Sequence, residues 1–143
     1  MTESKYQVDG RSEADCFPVV DPGVKLKGNR IIVQLRKAKD VSKGGIILVN
    51  DTKATEKWNE VIAKVVGVGP LAYKDLNTLQ PWPEGQWVQI GDLVRTIKYG
   101  GDRFVVQPDD DGAPVVFITL KATEIISKIK SFEYAQKMKA FVD

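Results

Sequence analysis

Short runs of apolar residues with strand-like spacing recur along the chain from Leu26 onward. In the first run, 30–35, Ile31, Val33 and Leu35 fall on one face, which is the two-residue period of a β-strand. Further β-type runs bounded by glycine-containing turns are predicted at 61–66, 92–97, 103–106 and 114–120. Strands this short and evenly spaced, without helices between them, favour a mainly β fold, either a small barrel or a sandwich.

A long charged stretch, 36–59, interrupts this rhythm. A loop of this length inside a compact domain is usually functional or disordered. Three adjacent aliphatic side chains on such a loop cannot bury themselves locally, which makes them available to the groove of a partner. The alternative is an ordinary buried strand after a Gly-Gly turn. The residues concerned are Gly44, Gly45, Ile46, Ile47 and Leu48.

The two ends of the chain differ from the middle. Residues 1–23 are of mixed charge and sparsely apolar outside 17–20, which predicts an extended N-terminal arm of a composition typical of disorder. From 131 to 143 the pattern is that of an amphipathic helix with Ser131 as N-cap. Its apolar face, predicted to pack within the chain or between subunits, comprises Phe132, Ala135, Met138 and Val142.

The composition excludes several kinds of chemistry. The chain of 143 residues has no histidine and one cysteine, Cys16, so a Cys/His zinc site, a Ser-His-Asp triad and histidine acid–base catalysis are excluded. The sequence 67–69 is Gly-Val-Gly, but it lacks the Lys-Ser/Thr of a phosphate loop. We therefore expect no enzyme activity, no metal and no cofactor. The formal net charge of only +2 argues against a dedicated nucleic-acid binder.

The same features favour the cytoplasm as the location. A single cysteine cannot form an intramolecular disulfide, which is consistent with a reducing compartment. Residues 1–10 contain no apolar stretch of the kind that a secretory signal needs. No apolar run approaches the roughly 18 residues of a membrane span.

The order of the motifs resembles the GroES-type co-chaperonins, the chaperonin-10 family. Residues 29–33 are similar to the family's opening strand D-R-V-x-V, and 44–48 to its mobile-loop motif G-G-I-hydrophobic-L. Three further segments, 60–69, 88–94 and 99–101, resemble in turn G-x-V-x-A-V-G-x-G, V-K-V-G-D-x-V and Y-G-G, and residues 116–126 are similar to the final hairpin. Each motif alone has low specificity, but together they occur in the family's order from about Leu26 to Ile129.

The chain also departs from that pattern. Asn29 stands where the family usually has Asp, and Pro70–Trp87 shares little composition with the family's roof hairpin. Trp82 could lie on the dome and Trp87 in the barrel, or both could form one packed cluster. The N-terminal arm and the helix after Lys130 have no counterpart in compact members, an embellishment that would suit a divergent, phage-encoded member acting in the host cytoplasm.

The resemblance implies a GroES-like β-barrel at 24–130, with a mobile loop at 36–59, a roof-type loop at 70–87 and a short C-terminal helix. It implies a ring-shaped lid, a homo-oligomer of seven subunits, which caps the ATP-bound large subunit of a GroEL-type chaperonin through its apical domains. Gly44–Leu48 would bind the chaperonin, and Tyr99, unless it is plain core, would face the chamber. The lid itself would use no cofactor, because ATP belongs to the partner, and non-native client proteins would benefit indirectly. Neither a membrane nor nucleic acid is an expected partner.

Two rival functions come from other classes. An alcohol-dehydrogenase-type oxidoreductase shares the barrel, but this chain lacks a zinc-ligand set and a dinucleotide-binding domain. A small nucleic-acid-binding β-barrel is the remaining alternative, based on the interleaved basic and aromatic residues of 98–104.

Overall fold

The computed structural model describes residues 11–37, 61–97, 99–108 and 114–138. Within these residues the structure is mainly β, as predicted, with short helices only. The strands are β1 Arg30–Leu35, β2 Ile62–Val68, β3 Leu93–Thr96, β4 Asp102–Val106, β5 Val115–Lys121 and β6 Ile125–Lys128. The helices are α1 Glu13–Cys16, a 3₁₀-helix at Ala122–Glu124 and α2 Phe132–Lys137.

The strands form one antiparallel sheet in the order β4-β5-β1-β2-β3-β6. Strand β1 lies in the interior of the sheet, where Val33 pairs with Val65 of β2 on one side and with Ile118 of β5 on the other. Ile125 of the edge strand β6 belongs to the same buried cluster as Ile118, although three strands separate β5 from β6 in the sheet order. The sheet therefore curls around a shared core, consistent with the predicted GroES-like β-barrel.

Both faces of β1 are buried. Ile31, Val33 and Leu35 point into the central core, as the two-residue period predicts. Ile32 belongs to a second apolar cluster on the opposite face, together with Val115 and Phe117, and Val20 and Leu26 of the N-terminal segment pack against it. The outer face of this part of the sheet is therefore covered by the chain that precedes β1.

The described part of the N-terminal segment differs from the expected extended arm. Ser12 caps α1 by accepting a hydrogen bond from the Asp15 amide, and the Asp15 carboxylate accepts one from the Ser12 amide in return. Cys16 and Phe17 are buried. These two residues are buried because they pack against a distant part of the chain: Ala135 of α2 belongs to the same apolar cluster. Residues 1–10 lie outside the described part.

Helix α2 begins after Ser131, the predicted N-cap, whose hydroxyl accepts a hydrogen bond from the Tyr134 amide. Ala135 is buried, and Phe132 and Met138 pack against the same cluster as Cys16 and Phe17. The predicted apolar face of this helix is thus turned inward, toward the barrel and α1. Val142, the last residue of the predicted face, lies outside the described residues.

Gly67, near the end of β2, and Gly69, just after it, allow neighbouring parts of the chain to approach closely. A Cβ atom at Gly69 would lie 2.6 Å from the carbonyl oxygens of Gly28 and Arg30, and the Gly69 amide donates to the Arg30 carbonyl at 2.7 Å. A Cβ atom at Gly67 would lie 2.7 Å from the Ile32 side chain. The Gly-Val-Gly sequence therefore has a packing explanation, in line with its lack of phosphate-loop residues.

We expect Gly69→Ala to lower the free energy of unfolding more than Gly67→Ala does. The atoms that obstruct the new methyl group at Gly69 are backbone oxygens, whereas at Gly67 they belong to the side chains of Ile32 and Leu26, whose displacement costs less than moving the backbone. The Gly69 variant should lose roughly 2–3 kcal/mol in urea unfolding. An equal or smaller loss at Gly69 than at Gly67 would contradict this packing account.

Candidate functional site

The predicted partner-binding residues, Gly44–Leu48, lie outside the described residues, as does all of 38–60. The structure does describe the two points where that segment joins the barrel. It leaves after Lys37 and returns at Val61, so these two residues are its roots.

The departing root is held by several hydrogen bonds. The Arg36 amide donates to the Ile62 carbonyl at 3.0 Å, which extends the β1–β2 ladder by one step. The Lys37 amide donates to the Cys16 carbonyl at 2.9 Å, and Arg11 Nη1 donates to the Lys37 carbonyl. These hydrogen bonds hold Arg36 and Lys37, the first two residues of the predicted loop 36–59, against the folded part of the chain.

The returning root is held by β3. The Val61 carbonyl accepts a hydrogen bond from the Thr96 amide at 2.9 Å and a longer one from Thr96 Oγ1 at 3.4 Å. Thr96 is itself buried. Because the Arg36 amide bonds to Ile62, the next residue after Val61, the two roots lie side by side at one end of the β1–β2 pair.

Tyr99, the predicted chamber-facing residue, is 80% exposed. This exposure rules out the alternative that it is plain core. Its position facing a chamber stays a prediction, because a chamber forms only between subunits.

The segment 70–87 carries a compact aromatic cluster. The rings of Tyr73, Trp82 and Trp87 lie with their centroids 5.4–5.7 Å apart. Of the two alternatives for the tryptophans, the single packed cluster is therefore the one that the structure shows. The Tyr73 hydroxyl donates to the Ala122 carbonyl at 2.9 Å, and burial raises the pKa of this tyrosine to about 12.

Between Tyr73 and Trp82 the chain forms a short loop. An isolated antiparallel bridge between Lys74 and Pro81 closes the base of this loop. The amides of Asn77 and Thr78 donate to the Asp75 carboxylate, and these hydrogen bonds lower its pKa. The side chains of Leu76 and Leu79 are exposed on this loop.

The sequence of the barrel matches a known family. Residues 24–129 fit the family model described as "Chaperonin 10 Kd subunit". The chain belongs to this family. The matched range contains all six described strands but ends before α2 and begins after α1.

Curated relatives bear the same name. The "Co-chaperonin GroES" of Solidesulfovibrio magneticus is 34% identical over 110 residues, which cover 76% of this chain and 100% of the relative. That of Chlamydia pneumoniae is 29% identical over 107 residues, covering 75% and 91%. That of Methylacidiphilum infernorum is 36% identical over 83 residues, covering 58% and 76%.

These matches confirm the predicted co-chaperonin function and favour it over the small nucleic-acid-binding barrel. The family is one of co-chaperonin subunits, which are not enzymes. Across the described ranges, no helix is both long and apolar enough to cross a membrane.

The sequence did not reveal the residues that hold the departing root. Arg11, Arg36 and Gln136 are single polar residues in charged or mixed stretches, and no periodicity distinguishes them from solvent-exposed neighbours. Their partners are distant in the chain, as with the Arg36 guanidinium and the Ala135 carbonyl, which are 99 residues apart.

Replacing Tyr73 with Phe should lower the free energy of unfolding by about 1–2 kcal/mol at pH 8, because the buried Ala122 carbonyl loses this donor. The difference in the free energy of unfolding between wild type and this variant should become smaller as the pH rises. The pKa of Tyr73 is about 12 in the folded protein and near 10 in the unfolded protein, so the wild type becomes less stable as the pH rises from 10 to 12. The variant has no hydroxyl at this position and does not show this decrease. Urea unfolding at pH 8, 10 and 11 measures both effects.

Tyr134→Phe is the matched control for that experiment. Tyr134 is 49% exposed, so removal of its hydroxyl should leave stability nearly unchanged at pH 8. A gap between wild type and the Tyr73 variant that stays constant up to pH 11 would show that the buried hydroxyl does not titrate as described.

Proposed function

We propose that the chain is one subunit of a ring-shaped lid that caps a GroEL-type chaperonin in its ATP-bound state and closes the folding chamber. Gly44–Leu48 bind a groove of the chaperonin apical domain. The observation that carries this proposal is the side-by-side arrangement of the two roots. A segment of 23 residues, 38–60, with an apolar island near its middle, leaves and rejoins the barrel at one place, which suits an element that reaches toward a partner.

The energetics favour weak single contacts. Burial of Ile46, Ile47 and Leu48 would contribute roughly 5–9 kcal/mol, at about 1.5–3 kcal/mol per side chain. Ordering five or six residues of the segment costs about 5–12 kcal/mol. The two quantities nearly cancel, so one segment binds weakly, while a ring of segments binds well through effective concentration. Weak individual contacts also let the lid leave when the chaperonin changes its nucleotide state.

A ring also fits the exposed edges of the sheet. Among the described strands, β4 and β6 each pair with one neighbour, so each leaves an edge that another subunit can cover. Head-to-tail contacts of this kind close into rings, and we propose seven subunits, as the family resemblance implies. In that ring Tyr99 faces the chamber. The lid needs no cofactor of its own, acts on non-native client proteins indirectly, and works in the cytoplasm.

Sedimentation velocity at micromolar concentration should show a closed oligomer of about seven subunits, with a narrow size distribution and little monomer. A closed ring saturates all of its interfaces, so intermediate sizes should be rare. A single species at 15.9 kDa, the mass of one chain, would count heavily against the lid.

Replacing Ile47 or Leu48 with Asp should leave the ring and its melting temperature unchanged and abolish capture of the ATP-bound chaperonin. The new charge enters an apolar groove, and the penalty recurs at every subunit of the ring. Pull-down with a GroEL-type chaperonin and ATP, together with a thermal melt of the same sample, measures both properties.

Val19→Asp is the matched control, because Val19 is a fully exposed aliphatic residue outside the family-matched range. It should retain both assembly and capture. If Ile47→Asp instead lost several kcal/mol of stability, the buried-strand alternative for 46–48 would be correct. A variant that melts normally and still captures the chaperonin would refute both interpretations of the segment.

A further inference from the structure

The segments outside the family-matched range meet at the departing root. Helix α1 precedes residue 24 and helix α2 follows residue 129, yet they share one apolar cluster. In this cluster Cys16 and Phe17 pack with Ala135 of α2 and with two barrel residues, Ile62 of β2 and Leu93 of β3. Ile62 is the residue whose carbonyl receives the Arg36 amide, so the cluster lies directly against the base of 38–60.

The N-terminal segment satisfies both main-chain polar groups of Lys37. The Cys16 carbonyl accepts from the Lys37 amide, and Arg11 Nη1 donates to the Lys37 carbonyl at 2.6 Å. Arg11 is in turn connected to α2, because Gln136 Nε2 donates to the Arg11 carbonyl at 2.7 Å. Glu13 of α1 also forms an ion pair with Lys64 of β2, with 3.2 Å between the charged atoms.

The C-terminal segment binds the neighbouring residue of the same root. Arg36 is only 8% exposed, and its Nη1 donates to the Ala135 carbonyl at 2.7 Å. A buried guanidinium needs such acceptors, since leaving its charge unpaired in this environment would be costly. Arg36 therefore connects the last residue of the β1–β2 ladder to α2, and Lys37 connects the next residue to α1.

We propose that α1 and α2 together form a clasp that fixes the departing root and thereby raises the affinity of 38–60 for its partner, with Arg36 as the main positioning residue. This inference rests on the proposed chaperonin-binding function of that segment. The clasp is formed by the segments on either side of the barrel. The barrel forms the body of the lid, and the two terminal helices determine how firmly the segment 38–60 is held at its departing root.

The physical basis is the conformational freedom of two residues. With the clasp closed, Arg36 and Lys37 are ordered before any partner arrives. With the clasp open, they become part of the segment that must be ordered on binding, and each ordered residue carries an entropic cost. In a ring this cost recurs in every subunit, so a small change per subunit becomes a large change in the affinity of the lid.

The test compares Arg36→Met, which removes the guanidinium but keeps an apolar stem, with Arg36→Lys, which keeps a charge and a donor. Lys121→Met is the control, since it removes one charge at an exposed position of β5. The first measurement is hydrogen exchange of the amides of residues 36 and 37 in the ring without chaperonin. We expect exchange about tenfold or more faster in Arg36→Met, an intermediate rate in Arg36→Lys and no change in the control.

The second measurement is the apparent Kd of each ring for a GroEL-type chaperonin with ATP. We expect it to rise about tenfold or more in Arg36→Met, with partial rescue by Arg36→Lys and with ring mass unchanged in all variants. If Arg36→Met does not fold, Gln136→Ala takes its place, because it removes only the hydrogen bond to Arg11 at a half-buried position.

The outcomes separate the two proposals. A wild-type ring that does not bind the chaperonin refutes the proposed function, and the exchange rates alone then show whether the clasp holds the root. A wild-type ring that binds, with Arg36→Met binding equally well, refutes the clasp and leaves the function intact. Unchanged exchange at residues 36 and 37 in Arg36→Met also refutes the clasp.

Discussion

The side chains of β1 alternate between two apolar clusters, and both clusters must be covered for this strand to lie where it does. On one face Ile31, Val33 and Leu35 occupy the central core, and on the other Ile32 packs with Val115 and Phe117. A strand buried on both faces needs partners along both edges as well, since its backbone groups have no water to bind. Pairing with β2 and β5 supplies them, and the barrel follows from the continuation of that sheet on either side.

Burial of the outer face explains why the chain before β1 is folded. Ile32 would be exposed if 18–27 extended into solvent, and Gln34 would lose the Pro18 carbonyl, to which its side-chain amide donates at 2.7 Å. Once 18–27 lies along the sheet, Cys16 and Phe17 are brought to the end of β1, where α2 completes their cluster. The fold of residues 11–27 thus depends on contacts with β1 and α2 as well as on the segment's own local signals.

Such contacts between distant parts of the chain limit what the sequence alone can predict. Five of the six described strands were predictable because their signal is local, with runs of β-type residues and glycine in the adjoining turns, whereas β6 was not among the predicted runs. Ser131 was predictable for the same reason, since a cap acts within one helical turn. Arg36 and Cys16 were not, because Ala135, which contributes to both environments, lies 99 positions from Arg36 and still farther from Cys16. No local pattern encodes such contacts. The tryptophans are an intermediate case. The sequence indicated that Trp82 and Trp87 could pack together, but it did not decide between this cluster and two separate positions.

The candidate site divides in the same way. The apolar island of 46–48 is a property of the sequence, conspicuous because charged residues and glycines surround it. The roots are a property of the fold, since Lys37 is held by α1 and Val61 by β3, elements that the sequence does not connect with them. Between the roots and the core stands the β1–β2 ladder, whose hydrogen bonds do not involve the terminal helices. Loosening the terminal helices should therefore reach Arg36 and Lys37 first and leave the register of the barrel intact. In the proposed lid, the sheet keeps its shape independently, while the terminal helices set how firmly the root of the binding segment is held.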